Sequence, residues 1–235
     1  MNIIESVKRL KLHEIILWLV SMAIIGISQM VFHVDGYLAL VASLVGVTAL
    51  VFIAKGDVLG QVLTFLFSVL YAIVSYRYRY WGEIATYLGM TAPIAFFSVI
   101  TWIRNPYQKG EVRVRHTTPK MWGILLSLSL VVTGIFYLIL RWLKTPNLAV
   151  STISVTTSFM AASLSMLRSS YYALFYAAND LVLIILWAFA SMEDITFLPM
   201  LLCFSCFFVS DIYGFINWQK MKKSQAVNTS VIDEI

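Results

Sequence analysis

Apolar residues fill this chain in long blocks, each interrupted by only a few polar positions. The blocks lie near Glu14–Phe32, Tyr37–Ala54, Val58–Ser75, Glu83–Trp102, Met121–Leu140, Leu148–Leu167, Tyr171–Ala190 and Phe197–Trp218. A helix needs about 20 apolar residues to cross the hydrocarbon core of a bilayer. The pattern therefore predicts an all-α integral membrane protein with eight transmembrane helices. The connections are short except for Ile103–Lys120. Basic residues before the first block give it the look of a signal peptide. It is as long as a full span, however, and no small-residue cleavage pattern follows, so it is read as a retained helix.

Composition fits this class. Hydrophobic residues make up 60% of the 235 positions and charged ones 12%, and the mean hydropathy is +0.83. A soluble domain of this size could not bury so much apolar surface. Eight spans place both termini on one side. That side carries Lys8, Arg9, Lys11, Lys55, Arg104, Lys109, Arg113, Arg115, Lys120, Arg168, Lys220, Lys222 and Lys223, whereas the other has Arg77, Arg79, Arg141 and Lys144. The positive-inside rule assigns the richer side to the cytoplasm. The net charge of +5 is thus topological, and no nucleic-acid partner is expected; the partner is the lipid bilayer.

Cys203 and Cys206 form a CxxC inside the eighth block. With no accompanying His or second Cys pair, they read as small buried helix residues rather than a metal or redox site. Neither a metal nor a cofactor is expected. Glycine-rich phosphate loops, HExxH and Ser-His-Asp patterns are missing, and the three histidines lie outside span interiors.

The fourth block ends Phe97-Ser98-Val99-Ile100-Thr101-Trp102-Ile103-Arg104 and the eighth ends Tyr213-Gly214-Phe215-Ile216-Asn217-Trp218-Gln219-Lys220. Both read aromatic, small, any, Ile, polar, Trp, any, basic. Spans two to four and six to eight then form two triplets, joined by span five and pointing the same way across the membrane. Parallel repeats of this kind are a transporter architecture with the substrate site at their interface. The expected division is a tail and extra helix over residues 1–36, a first repeat over 37–104, and a loop and linker helix over 105–146. A second repeat over 147–220 and a tail over 221–235 complete it.

Several polar residues fall on shared helical faces. Gln61, Thr64, Ser68, Tyr71 and Ser75 form one face of span three, either lining a cavity or gluing helices together. Glu83, Tyr87, Met90 and Thr91 share a face of span four, where Pro93 removes a backbone hydrogen bond. Pro93 marks either a moving kink or a static bend. Glu83, near the outer end, is either solvated, paired with Arg77 or Arg79, or in contact with ligand. Ser151, Ser154, Thr157, Ser158 and Ser165 in span six read as packing residues. Span seven carries a stripe of Tyr172, Phe175, Tyr176, Asn179, Asp180, Leu183 and Trp187, and span eight places Asp211 among Phe204, Phe207, Phe208 and Phe215. A carboxylate near mid-bilayer is costly and faces protein, a cavity or a ligand; no span interior offers a basic partner. Aromatic faces stack on planar heterocycles and attract cations, while Asn both donates and accepts. A small-molecule cargo with a pyridinium, a carboxamide and a ribose has the complementary groups, and nicotinamide riboside is such a molecule.

At these residues the chain resembles the PnuC family of nicotinamide riboside transporters, which is related to the SWEET sugar transporters. The resemblance runs from about Tyr37 to Lys223. It rests on Tyr80-Trp81-Gly82-Glu83, then Pro93 and Trp102, in the first repeat. In the second it rests on Tyr172-x-x-Phe175-x-x-x-Asn179 and on Asp211-Ile212-Tyr213-Gly214-Phe215-Ile216-Asn217-Trp218. It implies a three-plus-one-plus-three fold with an extra N-terminal helix, in a homotrimer of the bacterial cell membrane. It further implies facilitated diffusion, with cargo trapped by cytoplasmic phosphorylation to feed NAD synthesis. Asn179, Tyr172 and Phe175 would be among the ligands of a site between the triplets. The chain departs from the family in having smaller rings at two Trp positions, and Ala95 and Ala161 where many members have Gln. Thiamine, riboflavin or another nucleoside is therefore the alternative cargo, and proton coupling through Asp180 or Asp211 the alternative mechanism. The two carboxyls could also form a catalytic dyad. The Gly-rich aspartate motif of intramembrane aspartyl proteases is missing, however, and an enzyme is not expected.

Overall fold

A computed structural model describes residues 3–32, 37–77, 81–145 and 147–233. Arg79, Tyr80 and His33 lie outside the described residues, as does the side chain of Arg77. A short helix α1 (Ile3–Lys8) precedes α2 (Leu12–Val31), α3 (Tyr37–Ala54) and α4 (Val58–Arg77). Span four is α5 (Trp81–Thr86), a π-helical turn (Tyr87–Thr91) and α6 (Ala92–Ile103). Then follow α7 (Pro119–Trp142), α8 (Leu148–Met166), α9 (Tyr172–Glu193) and α10 (Leu198–Asp233). Among the described residues eight helical segments are long and apolar enough to cross a membrane, within a few residues of the blocks read from the sequence.

Two local departures have physical causes. The π turn ends just before Pro93, whose missing N–H removes one rung of the ladder; the wider turn bonds Ala92 N to Tyr87 O instead. The last helix does not stop at Trp218 but continues to Asp233. There Gln225 acts as a splint: Val114 N donates to its Oε1 at 2.8 Å, and its Nε2 donates to Val112 O at 3.1 Å. Between α9 and α10, Asp194 accepts from Thr196 N at 2.9 Å and Thr196 Oγ1 at 2.8 Å. Those bonds hold its carboxyl below the usual carboxylate range.

The repeat is visible atom by atom. α3 ends where Gly56 N donates to Ile53 O and Asp57 N to Phe52 O, and α8 ends where Arg168 N donates to Ser165 O and Ser169 N to Leu164 O. Gly56 has φ +68° and Arg168 +59°, the left-handed residue that terminates a helix. Asp57 Oδ1 then accepts from Leu59 N, and Ser169 Oγ from Tyr171 N. The closing tryptophans complete the correspondence by crossing between triplets. Trp102 Nε1 donates to Ser165 O at 2.9 Å and Trp218 Nε1 to Ile53 O at 2.8 Å. Beside them Thr101 Oγ1 donates to Met166 O at 3.0 Å and Asn217 Nδ2 to Ala54 O at 2.7 Å. Both indoles are fully buried with ring centroids 5.4 Å apart. The loop after α6 spans both helix ends, Val112 N donating to Gly56 O and Arg115 N to Arg168 O, each at 2.9 Å.

The triplets meet along α3–α10 and α6–α8, and α7 packs on α8 at the periphery. α7 leaves Ile124, Leu126, Leu128, Leu130 and Leu138 exposed, as a lipid-facing helix does. Serines such as Ser43, Ser98, Ser158 and Ser163 are buried instead, where small residues let helices approach closely. The extra helix α2 packs on α3 and α10 through Ile25, Trp18 and Met22 and one buried carboxylate. Glu14 accepts from Lys11 N at 2.6 Å and from the Tyr213 hydroxyl, and lies 3.3 Å from Lys55 Nζ. Arg9 pairs with Asp57 nearby.

Candidate functional site

Where the triplets separate at mid-depth they leave a cavity of about 50 Å3. α9 supplies Tyr176, Asn179 and Asp180, and α10 supplies Phe204, Phe207 and Asp211. α3 contributes Gly46 and Ala49, α4 Thr64 and Phe67, α8 Ser158, and the π turn Tyr87 and Thr91. A void of this size holds a few waters; ligand pockets are several-fold larger. The cavity is smaller than a ligand the size of a nucleoside.

Asn179 is fixed from α8. Its Oδ1 accepts from Ser154 Oγ at 3.0 Å and Thr157 Oγ1 at 2.9 Å. Both bonds use the oxygen, leaving the amide nitrogen as the group of Asn179 available to the cavity. Asp180 on α9 and Asp211 on α10 line the same cavity. They are 4% and 3% exposed, and Asp180 Oδ2 has no donor. Among the described residues neither forms an ion pair; the two found are Arg9–Asp57 and Lys55–Glu14.

Above this cavity rings form a layer. Tyr71 and Tyr87 lie 4.4 Å apart, Phe67 meets Tyr87 at 5.9 Å and Phe207 at 5.7 Å, and Phe204 meets Phe207 at 5.4 Å. Beyond the layer a second cavity, of about 100 Å3, is lined by Glu83, Glu193, Thr145, Ser151, Trp187 and Phe189. Tyr71 and Trp187 also border a smaller recess with Phe197. From the α9–α10 turn inward the structure thus places an acidic cavity, the ring layer, the central cavity and the crossed tryptophans.

The structure gathers Asn179, Asp180, Tyr176, Asp211 and Tyr87 at the central cavity, and Glu83 with Trp187 at the outer one. Tyr71 belongs to the layer between. Tyr172 lies towards the closed end, its ring 4.8 Å from Trp218, and Phe175 turns to the linker helix, 5.9 Å from Trp122. Gln61 ties α4 to α8 by donating to Ser165 Oγ at 2.8 Å. Ser68 is fully buried and donates back to Thr64 O. Phe67 and Gly46 line the cavity without having been singled out from the sequence, whereas Phe207 does so from the face it shares with Asp211. An apolar ring or glycine in a span carries no signal that separates cavity from lipid; only the packing of Phe207 against Gly46 does.

Residues 36–220 match the family described as nicotinamide mononucleotide transporter. The nicotinamide riboside transporter PnuC of Neisseria mucosa is 30% identical over 216 residues, covering 88% of this chain and 81% of that protein. The nicotinamide riboside transporter PnuC of Haemophilus influenzae is 24% identical over 211 residues, covering 88% and 90%. A crystal structure of the vitamin B3 transporter PnuC superposes with a TM-score of 0.80 at 26% identity, over 92% of this chain and 94% of that one.

Proposed function

The chain belongs to the nicotinamide mononucleotide transporter family, a family of multi-pass membrane transporters rather than enzymes, and on that premise we propose that its cargo is nicotinamide riboside. The observation that carries this reading is the central cavity between the triplets. Its rings (Phe67, Tyr87, Tyr176) suit a flat pyridinium, its Asn179 amide suits a carboxamide or ribose hydroxyl, and its carboxyls suit positive charge. Ala95 and Ala161 are buried and line neither cavity.

Transport is facilitated diffusion: cargo enters by the acidic vestibule, passes the ring layer and leaves at the end carrying the basic loops. That end is cytoplasmic, where Arg104, Arg113, Arg115 and Arg168 gather, as are both termini. Phosphorylation of the nucleoside there traps it and feeds NAD synthesis. The protein works as a homotrimer in the bacterial cell membrane, with the apolar face of α7 in contact with lipid or a neighbouring copy.

The test is uptake of labelled nicotinamide riboside into proteoliposomes without a proton gradient. Saturable uptake, reduced about tenfold by Asn179→Ala through loss of one to two hydrogen bonds, is expected. Preferential uptake of thiamine or riboflavin would move the cargo but keep the path. Unchanged uptake by the Asn179 variant would remove that residue from the site.

A further inference from the structure

The loop after α6 alternates where it crosses the basic end of the bundle. Val112 and Val114 are buried, at 1% and 8% exposure, while Arg113 and Arg115 are exposed. A period of two puts both arginines on the outer side of the stretch. Backbone bonds fix where it runs. Val112 N donates to Gly56 O and Arg113 N to Asn105 O in the first triplet, and Arg115 N to Arg168 O in the second, each at 2.9 Å. Arg168 has φ +59° and sits in the turn from α8 to α9, next to the positive end of the α9 dipole. Across that turn Lys222 Nζ lies 5.6 Å from the centre of the Tyr171 ring, and Tyr171 opens α9.

Cations at this end of a membrane protein ordinarily form a solvated face that sets topology. Arg168 is different. It is half-buried, and its Nε is shut off from water with no acceptor in the protein. Burial, and then the charges of Arg115 and Arg113, hold its guanidinium below the usual arginine range. A buried charged donor without an acceptor is costly, and like charges beside it add to the cost. Glu111 is the only acid between Arg104 and Thr118. Neither ion pair found among the described residues involves the three arginines. An anion with several acceptor oxygens would satisfy them together, and the guanidinium fork matches phosphate.

We propose that a phosphate group binds between Arg113 and Arg115 of the loop and Arg168 of the α8–α9 turn, and that by bridging them it holds this end of the bundle closed. Arg168 follows the last turn of α8, whose Ser165 and Met166 carbonyls accept from Trp102 and Thr101. An anion that ties this turn to the loop spans the same contact as those crossing bonds. It binds the closed arrangement, in which the arginines are together, and shifts the population towards it. On the reading that this end is cytoplasmic, two sources present the same chemistry there. One is the headgroup of an acidic phospholipid; the other is a soluble phosphate monoester such as the phosphorylated cargo.

The experiment is titration calorimetry on the purified full chain with three probes: inorganic phosphate, nicotinamide mononucleotide and a short-chain phosphatidylglycerol. At least one should bind saturably, about tenfold or more weakly to Arg168→Gly and to Arg115→Gln, since each removes a charged hydrogen bond. Arg141→Gln, which removes the same charge at the far end of the bundle, should bind as the native chain does. Glycine suits the left-handed turn and glutamine replaces an exposed side chain, so neither variant is expected to unfold. Binding of none of the probes, or binding that both variants leave intact, would overturn the site. Labelled nicotinamide riboside uptake then tests closure, in phosphatidylcholine vesicles with or without the soluble probes on both faces, and in vesicles containing phosphatidylglycerol. Uptake should slow with the probe that binds, and by less in Arg168→Gly. Slowing by nicotinamide mononucleotide in phosphatidylcholine assigns the soluble source; slowing in phosphatidylglycerol vesicles alone assigns the headgroup. Binding without any slowing would overturn closure. Absence of nicotinamide riboside uptake in every membrane would instead overturn the cargo reading, and calorimetry would still decide the phosphate site.

Discussion

The tightest steric constraint on the central cavity is at Gly46, and adding one methyl there should disturb both stability and transport. A Cβ at Gly46 would lie 2.5 Å from Phe207 Cζ and 3.0 Å from Phe67 Cδ2. Carbons in comfortable contact are about 3.5–4.0 Å apart, so the Phe207 ring has to retreat by roughly 1 Å. It is hemmed in by Phe204 at 5.4 Å and Phe67 at 5.7 Å, and the space left to it is the cavity itself. Overpacking of this kind costs about 1–3 kcal/mol, or about 2–4 °C in Tm per kcal/mol at this chain length. A ring pushed into a 50 Å3 space should also weaken nicotinamide riboside binding by about tenfold, equivalent to about 1.4 kcal/mol. Gly46→Ala would be compared with Gly26→Ala, which meets nothing within 4 Å, by thermal melting in detergent and by proteoliposome uptake. The control should melt no lower than the native chain, since Ala favours helix. Phe207→Leu in the Gly46→Ala background should recover much of the loss. Native Tm and native affinity in Gly46→Ala would refute the reasoning.

Other predictions follow from the repeat and its anchor. Trp102→Phe and Trp218→Phe each keep an aromatic ring but leave a buried carbonyl without its donor; each should cost about 1–3 kcal/mol by thermal melting. Clearly unequal losses would contradict the internal symmetry. Arg168→Gly relieves a left-handed conformation and should stabilise by about 1 kcal/mol. Gly56→Ala, strained by φ and placed 2.7 Å from Met221 Cε, should destabilise. Glu14→Gln uncouples Lys55 from its buried partner and should lower stability by about 3–5 kcal/mol. Adding Lys55→Met should restore most of it; no recovery would show that the hydrogen bonds, not the charge, hold α2.

Span positions were legible because bilayer thickness imposes a length and composition that few other structures share. The internal repeat was legible because each closing Trp has a specific bond to make, and that bond needs the same residue in both halves. The role of each polar face was not. Gln61 and Ser68 satisfy helix–helix contacts while Tyr87 and Asn179 face the cavity, yet all four are polar residues at helical spacing. Whether such a face meets a helix or a void depends on rotation about the axis, which hydropathy does not encode. Tyr172 and Phe175 illustrate the same limit, since they share a stripe with Asn179 but point towards Trp218 and Trp122. The π turn left only Pro93 as its trace.

The crossed tryptophans make their end of the bundle a reciprocal latch. Each half holds the other by its own closing indole and by a neighbouring polar side chain, Asn217 or Thr101, so neither half can swing away while its counterpart stays engaged. Opening there breaks all four bonds together. At about 1 kcal/mol each that is about 4 kcal/mol, placing the open form near one molecule in a thousand. A carrier built this way opens rarely and all at once, which suits a membrane that must not leak.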